Sequence, residues 1–185
     1  TTRELGRILR QAGIDFSRLE ESEFDAPLGL STGAGVIFGA TGGVMEAALR
    51  TVYEVVTGDK LEALEFKDVR GLQGVKEATV ELNGTAVKVA VAHGLGNARS
   101  LVEKIMSGDD EYAFVEVMAC PGGCIGGGGQ PYVTTDTVRE QRIQALYKVD
   151  EAMRLRKSHD NPAVARLYEE FLQHPLSERS HHLLH

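Results

Sequence analysis

The sequence predicts an α/β fold: a mixed sheet of about four strands flanked by helices, followed by a helical C-terminal tail. Three observations predict it. Alternating segments face each other across Asn83-Gly84, strongly periodic helical segments lie between the strand segments, and after Pro131 the strand patterns give way to charged helical ones. With 185 residues, 42% of them hydrophobic, the chain can build one globular core plus an appendage. The expected division is residues 1–133 and 134–185.

Residues 2–12 are expected to be helical. Thr1 and Glu4 have capping-box spacing, Leu5, Ile8 and Leu9 make an apolar stripe, and Gly13 is the expected stop. Residues 14–32 read as irregular, with Asp15, Glu20, Glu21, Glu23 and Asp25 on a solvated surface. The glycine-rich run "STGAGVIFGATGG", Ser31 to Gly43, then enters a strong helix over 44–56. Val44, Ala48, Val52 and Val55 share one face of it, and Met45, Leu49 and Val56 widen the apolar sector. Glu46, Arg50 and Glu54 form a polar stripe expected to face solvent.

Residues 64–70 alternate and read as a strand. Residues 77–82 and 86–92 flank Asn83-Gly84, a strong hairpin signal. A helix is expected over 96–107, ending near Gly108, and then a buried strand over 112–118, "YAFVEVM". Past Pro131, a charged helix over 136–156 carries Arg139, Arg142, Lys148, Arg154 and Arg156. Asn161-Pro162 starts another, anchored by Leu167, Tyr168, Phe171 and Leu172, and the chain closes on His181, His182 and His185.

The formal net charge of -7 argues against nucleic acid and against an anionic membrane surface as partners. No apolar run reaches the roughly 18 residues of a membrane span. The opening residues read as a helix and not as a signal peptide, which means little in a sequence that does not begin with Met; the expected location is cytoplasmic, with periplasmic left open, since a periplasmic protein would carry its export signal elsewhere.

The two cysteines, Cys120 and Cys124, lie in "EVMACPGGCIGGGGQP", together with six of the 21 glycines. A disulfide between them would close a tiny loop and stabilise little. Phosphate binding has weak support: "FGATGG" precedes a helix, but it lacks a lysine and matches no nucleotide-binding spacing. Thiol redox chemistry is disfavoured by the C-x-x-x-C spacing and by the Ile125 and four glycines that follow. Two thiolates suit a soft metal, either zinc or an iron–sulfur cluster. Zinc would need two more ligands, with His93 the nearest candidate. Glycines around thiolates let backbone N–H groups approach a bulky inorganic core. A zinc-binding or simply structural α/β module stays open on these residues alone.

Three segments, in order, resemble the iron-only ([FeFe]) hydrogenases. "MACPGGCIGGGGQP", preceded by "FVEV", resembles the family's third cysteine motif; "GAGVIFGATGGVMEAALRT" resembles its glycine segment; "RLYEEFL" with "SHHLLH" resembles its small C-terminal segment. The resemblance implies an H-cluster in the complete enzyme, a [4Fe–4S] cubane bridged through a thiolate to a di-iron unit with CO and cyanide ligands. Cys120 would bind the cubane, Cys124 would bind it and bridge to the di-iron unit, and Met118 would contact that unit. Phe38, Gly39 and Val44 would line the pocket around its diatomic ligands. The implied reaction is reversible reduction of protons to hydrogen, with a ferredoxin-type electron carrier as partner.

The family's other cysteine motifs, TSCCP and MPC, are not in this sequence. The chain therefore reads as the second lobe of a two-lobed catalytic domain, whose partner is an N-terminal lobe on the same polypeptide or a separate subunit. Alone it is expected to be inactive, to hold no stable cluster under air, and to self-associate through its exposed apolar face. Two relatives with the same cysteine plan form the alternative: sensory hydrogenases and eukaryotic iron–sulfur assembly proteins. The intact "FGATGGVMEAALR" favours a di-iron pocket over the assembly class.

Overall fold

A computed structural model describes residues 1–22, 30–108 and 111–184. Local signals set its first element, helix α1 (Thr2–Gln11), where Thr1 and Glu4 form the expected reciprocal capping box. None of the residues of α1 is buried, and Leu5 and Ile8 stay exposed. The expected acidic surface reaches Glu23 and Asp25, which lie outside the described residues.

Among the described residues the sheet has three strands, in the order β1-β2-β3, where about four were expected. β1 (Val75–Leu82) and β2 (Thr85–His93) pair antiparallel, from Val75 opposite Ala92 to Leu82 opposite Thr85. The turn between them places Asn83 at φ 49° and Gly84 at φ 76°, the left-handed pair that a two-residue hairpin needs. β3 (Phe114–Met118) runs parallel to β2, with His93 opposite Met118. The strand expected over 64–70 is instead a 3₁₀ turn at Lys67–Val69. Val69 is buried with Phe66 packed beside it, so these apolar residues are two anchoring side chains and not a sheet face.

Both faces of β2 are covered, and residues 89–93 are all buried. On one face, Val89 and Val91 join Val80 and Leu82 against Met45 and Leu49 of helix α3 (Gly43–Thr57). On the other, Ala90 and Ala92 pack against Ala98 and Leu101 of helix α4 (Leu95–Met106). A third cluster joins the short helix α2 (Gly33–Ile37), hidden in the sequence inside the glycine run, to helix α5 (Asp136–Ala152). Its members include Ala34, Ile37, Ala47, Ile125, Ile143 and Tyr147, so the two expected units share one core. The chain ends with α6 (Pro162–Leu167), a π-helical turn at Tyr168–Leu172, and α7 (Glu178–Leu184). Of the expected anchors there, Leu172 is buried, whereas Leu167 and Phe171 are exposed. No helix among the described residues is long and apolar enough to cross a membrane.

The polar stripe of α3 is not solvated. Glu46 and Arg50 are both 0% exposed, while Val55 on the expected apolar face is 72% exposed. Val52 and Val56 are exposed as well. Arg50 uses all five of its donor hydrogens. Its Nη atoms fork onto Asp150 of α5 at 2.9 and 2.8 Å, and also reach Glu46 at 2.8 Å and the Arg156 carbonyl at 2.9 Å. Its Nε donates to the Leu64 carbonyl at 3.0 Å. Arg70 adds two bonds to Glu46, at 2.7 and 2.6 Å, and lies over the Tyr147 ring. Burial works against the Arg50 charge, but the bonds and fields of Asp150 and Glu46 outweigh it and keep the guanidinium ionised. Burial likewise opposes the Asp150 carboxylate, and the bonds from Arg50 and Arg156 hold its pKa below the ordinary value. Burial and the neighbouring Glu46 carboxylate push the Tyr147 phenol up.

Candidate functional site: the thiol loop

The loop carrying the thiols is built mainly from backbone bonds. β3 ends at Met118, whose carbonyl accepts from Gly94 N–H at 2.8 Å. The chain then folds back on itself: Gly123 N–H donates to the Cys120 carbonyl at 3.0 Å, and Gly127 N–H to the Cys124 carbonyl at 3.0 Å. Cys124 opens a 3₁₀ turn, Cys124–Gly126. Cys124 is exposed and Cys120 half-buried; neither is in a disulfide. The expected burial of β3 fails, because Phe114 is 44% exposed, Val117 is 48% exposed, and the strand's buried side chain is Glu116.

Two backbone bonds join this loop to the turn after α2. Thr41 N–H donates to the Gly122 carbonyl at 3.0 Å, and Ile125 N–H to the Gly39 carbonyl at 3.1 Å. Between them sits Gly123, at φ 93°. A Cβ there would lie 2.8 Å from the Met118 sulfur and 2.9 Å from both the Gly39 carbonyl oxygen and the Thr41 nitrogen. The structure therefore brings Met118, Gly39 and the thiol loop together. Phe38 adjoins them with its side chain 45% exposed, more open than a sealed wall residue. Val44 is half-buried in the first turn of α3.

His93 is not a free ligand. Gly122 N–H donates to its Nδ1 at 3.1 Å, so the proton sits on Nε2, which donates to the Leu72 carbonyl at 3.0 Å. Both ring nitrogens are thus engaged, which removes the expected third zinc ligand. The start of α3 is not a free anion site either. Glu116 accepts from Gly42 N–H at 2.6 Å and from Met45 N–H at 2.7 Å, so a carboxylate of the chain already occupies the place a phosphate would take.

Beside it, the Lys76 ammonium is buried and donates to the Gly71 carbonyl at 2.9 Å and to the carbonyl and hydroxyl of Thr41, both at 3.3 Å. Burial pulls Lys76 down to about 8, against the opposing pull of the Glu116 charge. Sequence reasoning missed both residues. The one signal was a lone carboxylate, Glu116, inside the apolar segment that delivers the thiols.

Among the described residues, one group of three potential metal ligands converges, Glu54, His159 and Asp160. The Lys157 ammonium already fills it, 2.8 Å from Glu54 and 3.0 Å from Asp160. Burial raises the Glu54 pKa, but bonds from Lys157, His159 and the Leu61 N–H outweigh it and hold the carboxyl at about 2.

Two family models match the chain: the iron-only hydrogenase large subunit, C-terminal domain, over residues 1–128, and the iron hydrogenase small subunit over residues 136–185. The NADP-reducing hydrogenase subunit HndD of Solidesulfovibrio fructosivorans is 56% identical over 186 residues, covering 100% of this chain and 32% of the relative. Iron hydrogenase 1 of Clostridium pasteurianum is 45% identical, covering 100% of this chain and 33% of the relative. The chain thus spans about a third of the length of these curated relatives. More distant is Protein NAR1 of Arabidopsis thaliana, 34% identical, covering 100% of this chain and 40% of the relative. A solved structure of the [FeFe]-hydrogenase HydA1 from Chlamydomonas reinhardtii superposes with a TM-score of 0.75 at 43% identity, covering 97% of this chain and 52% of that one. A donor pair at the end of a strand, stitched to a glycine turn, and matches of this extent lead to one assignment: the chain belongs to the iron-only hydrogenase family, carrying the C-terminal domain of the large subunit and the small-subunit segment.

Proposed function

We propose that this chain is the second lobe of an [FeFe] hydrogenase catalytic domain and supplies half the thiolate ligands of its H-cluster. The observation that carries the reading is the stitching of two free thiols to the Phe38–Gly39 turn by the Thr41–Gly122 and Ile125–Gly39 bonds. The donor set fits. Two soft thiols, one exposed and one half-buried, stand in a glycine-rich loop in which a Cβ on Gly128 would meet open space. Cys120 would hold the cubane, and Cys124 would hold it and bridge to the di-iron unit. When bound, the cluster supplies the two-electron chemistry of hydrogen formation and cleavage. The chain's own task is to orient the thiolates and to place Met118, Phe38, Gly39 and Val44 around the open side of the site. None of these four offers a hard competing side-chain donor.

The remaining ligands would come from an N-terminal lobe, which would also cover Phe38 and α1. Leu5, Ile8 and Phe38 are exposed apolar side chains on this chain, and Arg3 N–H of α1 already binds the Gly129 carbonyl at 3.2 Å. Two thiolates are half a cubane's ligand set, so the isolated chain is inactive and self-associates through this face. A ferredoxin-type carrier supplies the electrons to the complete enzyme. Residues 134–185 act as the small-subunit-like segment, docked through α5.

The test is anaerobic reconstitution with iron and sulfide, applied to the 185-residue chain and to the full-length polypeptide. About four more irons per full-length molecule than in the Cys120→Ser variant, together with hydrogen evolution after maturation, are the expected results. A stoichiometric cubane on the isolated monomer would sink the half-site reading. The 33% identity to the cytosolic iron-sulfur assembly component 3 of Rattus norvegicus favours one second reading, an iron–sulfur assembly role. It predicts cluster binding without the infrared bands of CO and cyanide ligands.

A further inference from the structure

One buried side chain ties together the two loops of the candidate site. Glu116 projects from β3, four residues before Cys120, and is 6% exposed. Its two oxygens accept from Gly42 and Met45 at the start of α3, one each. Gly42, as N-cap, has no side chain to cap α3 itself, and its φ of 88° brings the backbone close enough that a Cβ would lie 1.8 Å from the Val69 carbonyl oxygen. The cap therefore comes from a strand 71–74 residues away, the same strand that delivers the thiols. Lys76 anchors the other side. Its ammonium, from β1, grips Thr41 and Gly71, and a Cβ on Gly42 would come 3.5 Å from that nitrogen. Three segments thus meet on one buried carboxylate and one buried ammonium: the turn that follows Phe38 and Gly39, the loop that starts at Met118, and the 69–71 bend.

We propose that Glu116, with Lys76 as its anchoring partner, is the positioning residue that sets the Phe38–Thr41 turn in register with the Met118–Cys124 loop. The positioning stands on geometry alone, while its bearing on chemistry rests on the hydrogenase reading. The backbone bonds between the turn and the loop hold the two together locally. The carboxylate fixes where α3, and with it the whole turn, sits relative to the strand. Replacing an oxygen by an NH₂ group sets a donor against a donor N–H, so Glu116→Gln must release Gly42 or Met45.

The test uses the 185-residue chain with ¹³C-methyl methionine and amide exchange, and needs no iron. In Glu116→Gln the Gly42 and Met45 amides are expected to exchange at least about tenfold faster. The Met118 methyl resonance is expected to shift or split, while those of Met106 on α4 and Met153 after α5 stay in place. Adding Lys76→Met to Glu116→Gln is expected to restore part of the lost melting temperature, because the buried ammonium no longer lacks its anion. Lys76→Met alone serves if Glu116→Gln does not fold; it keeps the cap and should move the Met118 resonance less, but in the same direction. An unmoved Met118 methyl despite faster amide exchange would overturn the proposal, leaving Glu116 a helix cap only. Unchanged amide exchange would overturn it too. Failure of cluster binding in the reconstitution experiment leaves these readouts untouched, so the two ideas fail separately.

Discussion

The Arg50 cluster and the thiol loop treat polarity in opposite ways. Around Arg50, charged side chains are sealed in the interior, and every donor of the guanidinium is spent on Asp150, Glu46 or a carbonyl. In the thiol loop the backbone is tied down residue by residue, yet Cys124 and Phe38 remain open to the surroundings. The first region is nearly saturated: Arg156 Nε is the one buried donor in this cluster, among the described residues, without a partner. The second keeps a thiol and an aromatic side chain at the surface, the exposure on which the proposed cluster and second lobe rest. The contrast teaches that side-chain polarity alone does not separate structural from functional residues here. What separates them is whether the side chain's bonding capacity has been used.

The largest effect should come from breaking the saturated region. Arg50→Ala leaves Asp150 and Glu46 short of their central cation in a dry site and is expected to cost about 3–5 kcal/mol of stability, read by urea unfolding. A loss below about 1 kcal/mol would mean the cluster is not sealed from water.

Next comes the buried ammonium behind the loop. The folded-state pKa of Lys76, about 8, lies below the ordinary 10.5, so between these values the unfolded chain holds a proton the folded chain has released. Stability from this residue therefore rises as pH climbs from about 8 to about 10.5, by about 3 kcal/mol in total. The rise should appear as the wild-type minus Lys76→Met difference in unfolding free energy, compared at the two ends of the window. A flat difference would place Lys76 in contact with solvent.

A smaller effect is expected inside the loop. Gly123→Ala forces a Cβ against two backbone groups, at a φ that L-residues seldom adopt, and should cost about 2 kcal/mol. It should also weaken iron uptake by the full-length protein. Cys120→Ser and Cys124→Ser sit at the other end of the scale. Neither removes a structural bond, so each should change chain stability by no more than about 0.5 kcal/mol while lowering the iron of the full-length protein by about four per molecule. A large destabilisation from either would recast the thiols as structural groups.

Much of this was legible in the chain. The capping box at Thr1 and Glu4, the Asn83-Gly84 hairpin, α3, α4 and the thiol loop at a strand end are all local signals, and the structure has them where the residues place them; α5 starts as expected but ends at Ala152 and not at Arg156. The fourth strand was misread because Phe66 and Val69, three residues apart, are apolar for anchoring and not for pairing. Helix α2 was hidden because glycines at its start and within it suppress the helical signal.

Periodicity determined that α3 is a helix with an apolar sector and a polar stripe. It could not determine which side faces inward, because that depends on what the rest of the chain brings to it. Asp150 lies 100 residues from Arg50, and Arg70 lies 24 residues from Glu46; only folding puts them there, and the resulting charge match turns the polar stripe inward and leaves Val55 outside. The same holds at the thiol loop. Residue types and spacing in the sequence marked Cys120 and Cys124 as candidate soft-metal donors. Tertiary contacts alone decided that His93 is spoken for and that Glu116 caps α3, since a hydrogen-bond partner is a fact of position and not of composition.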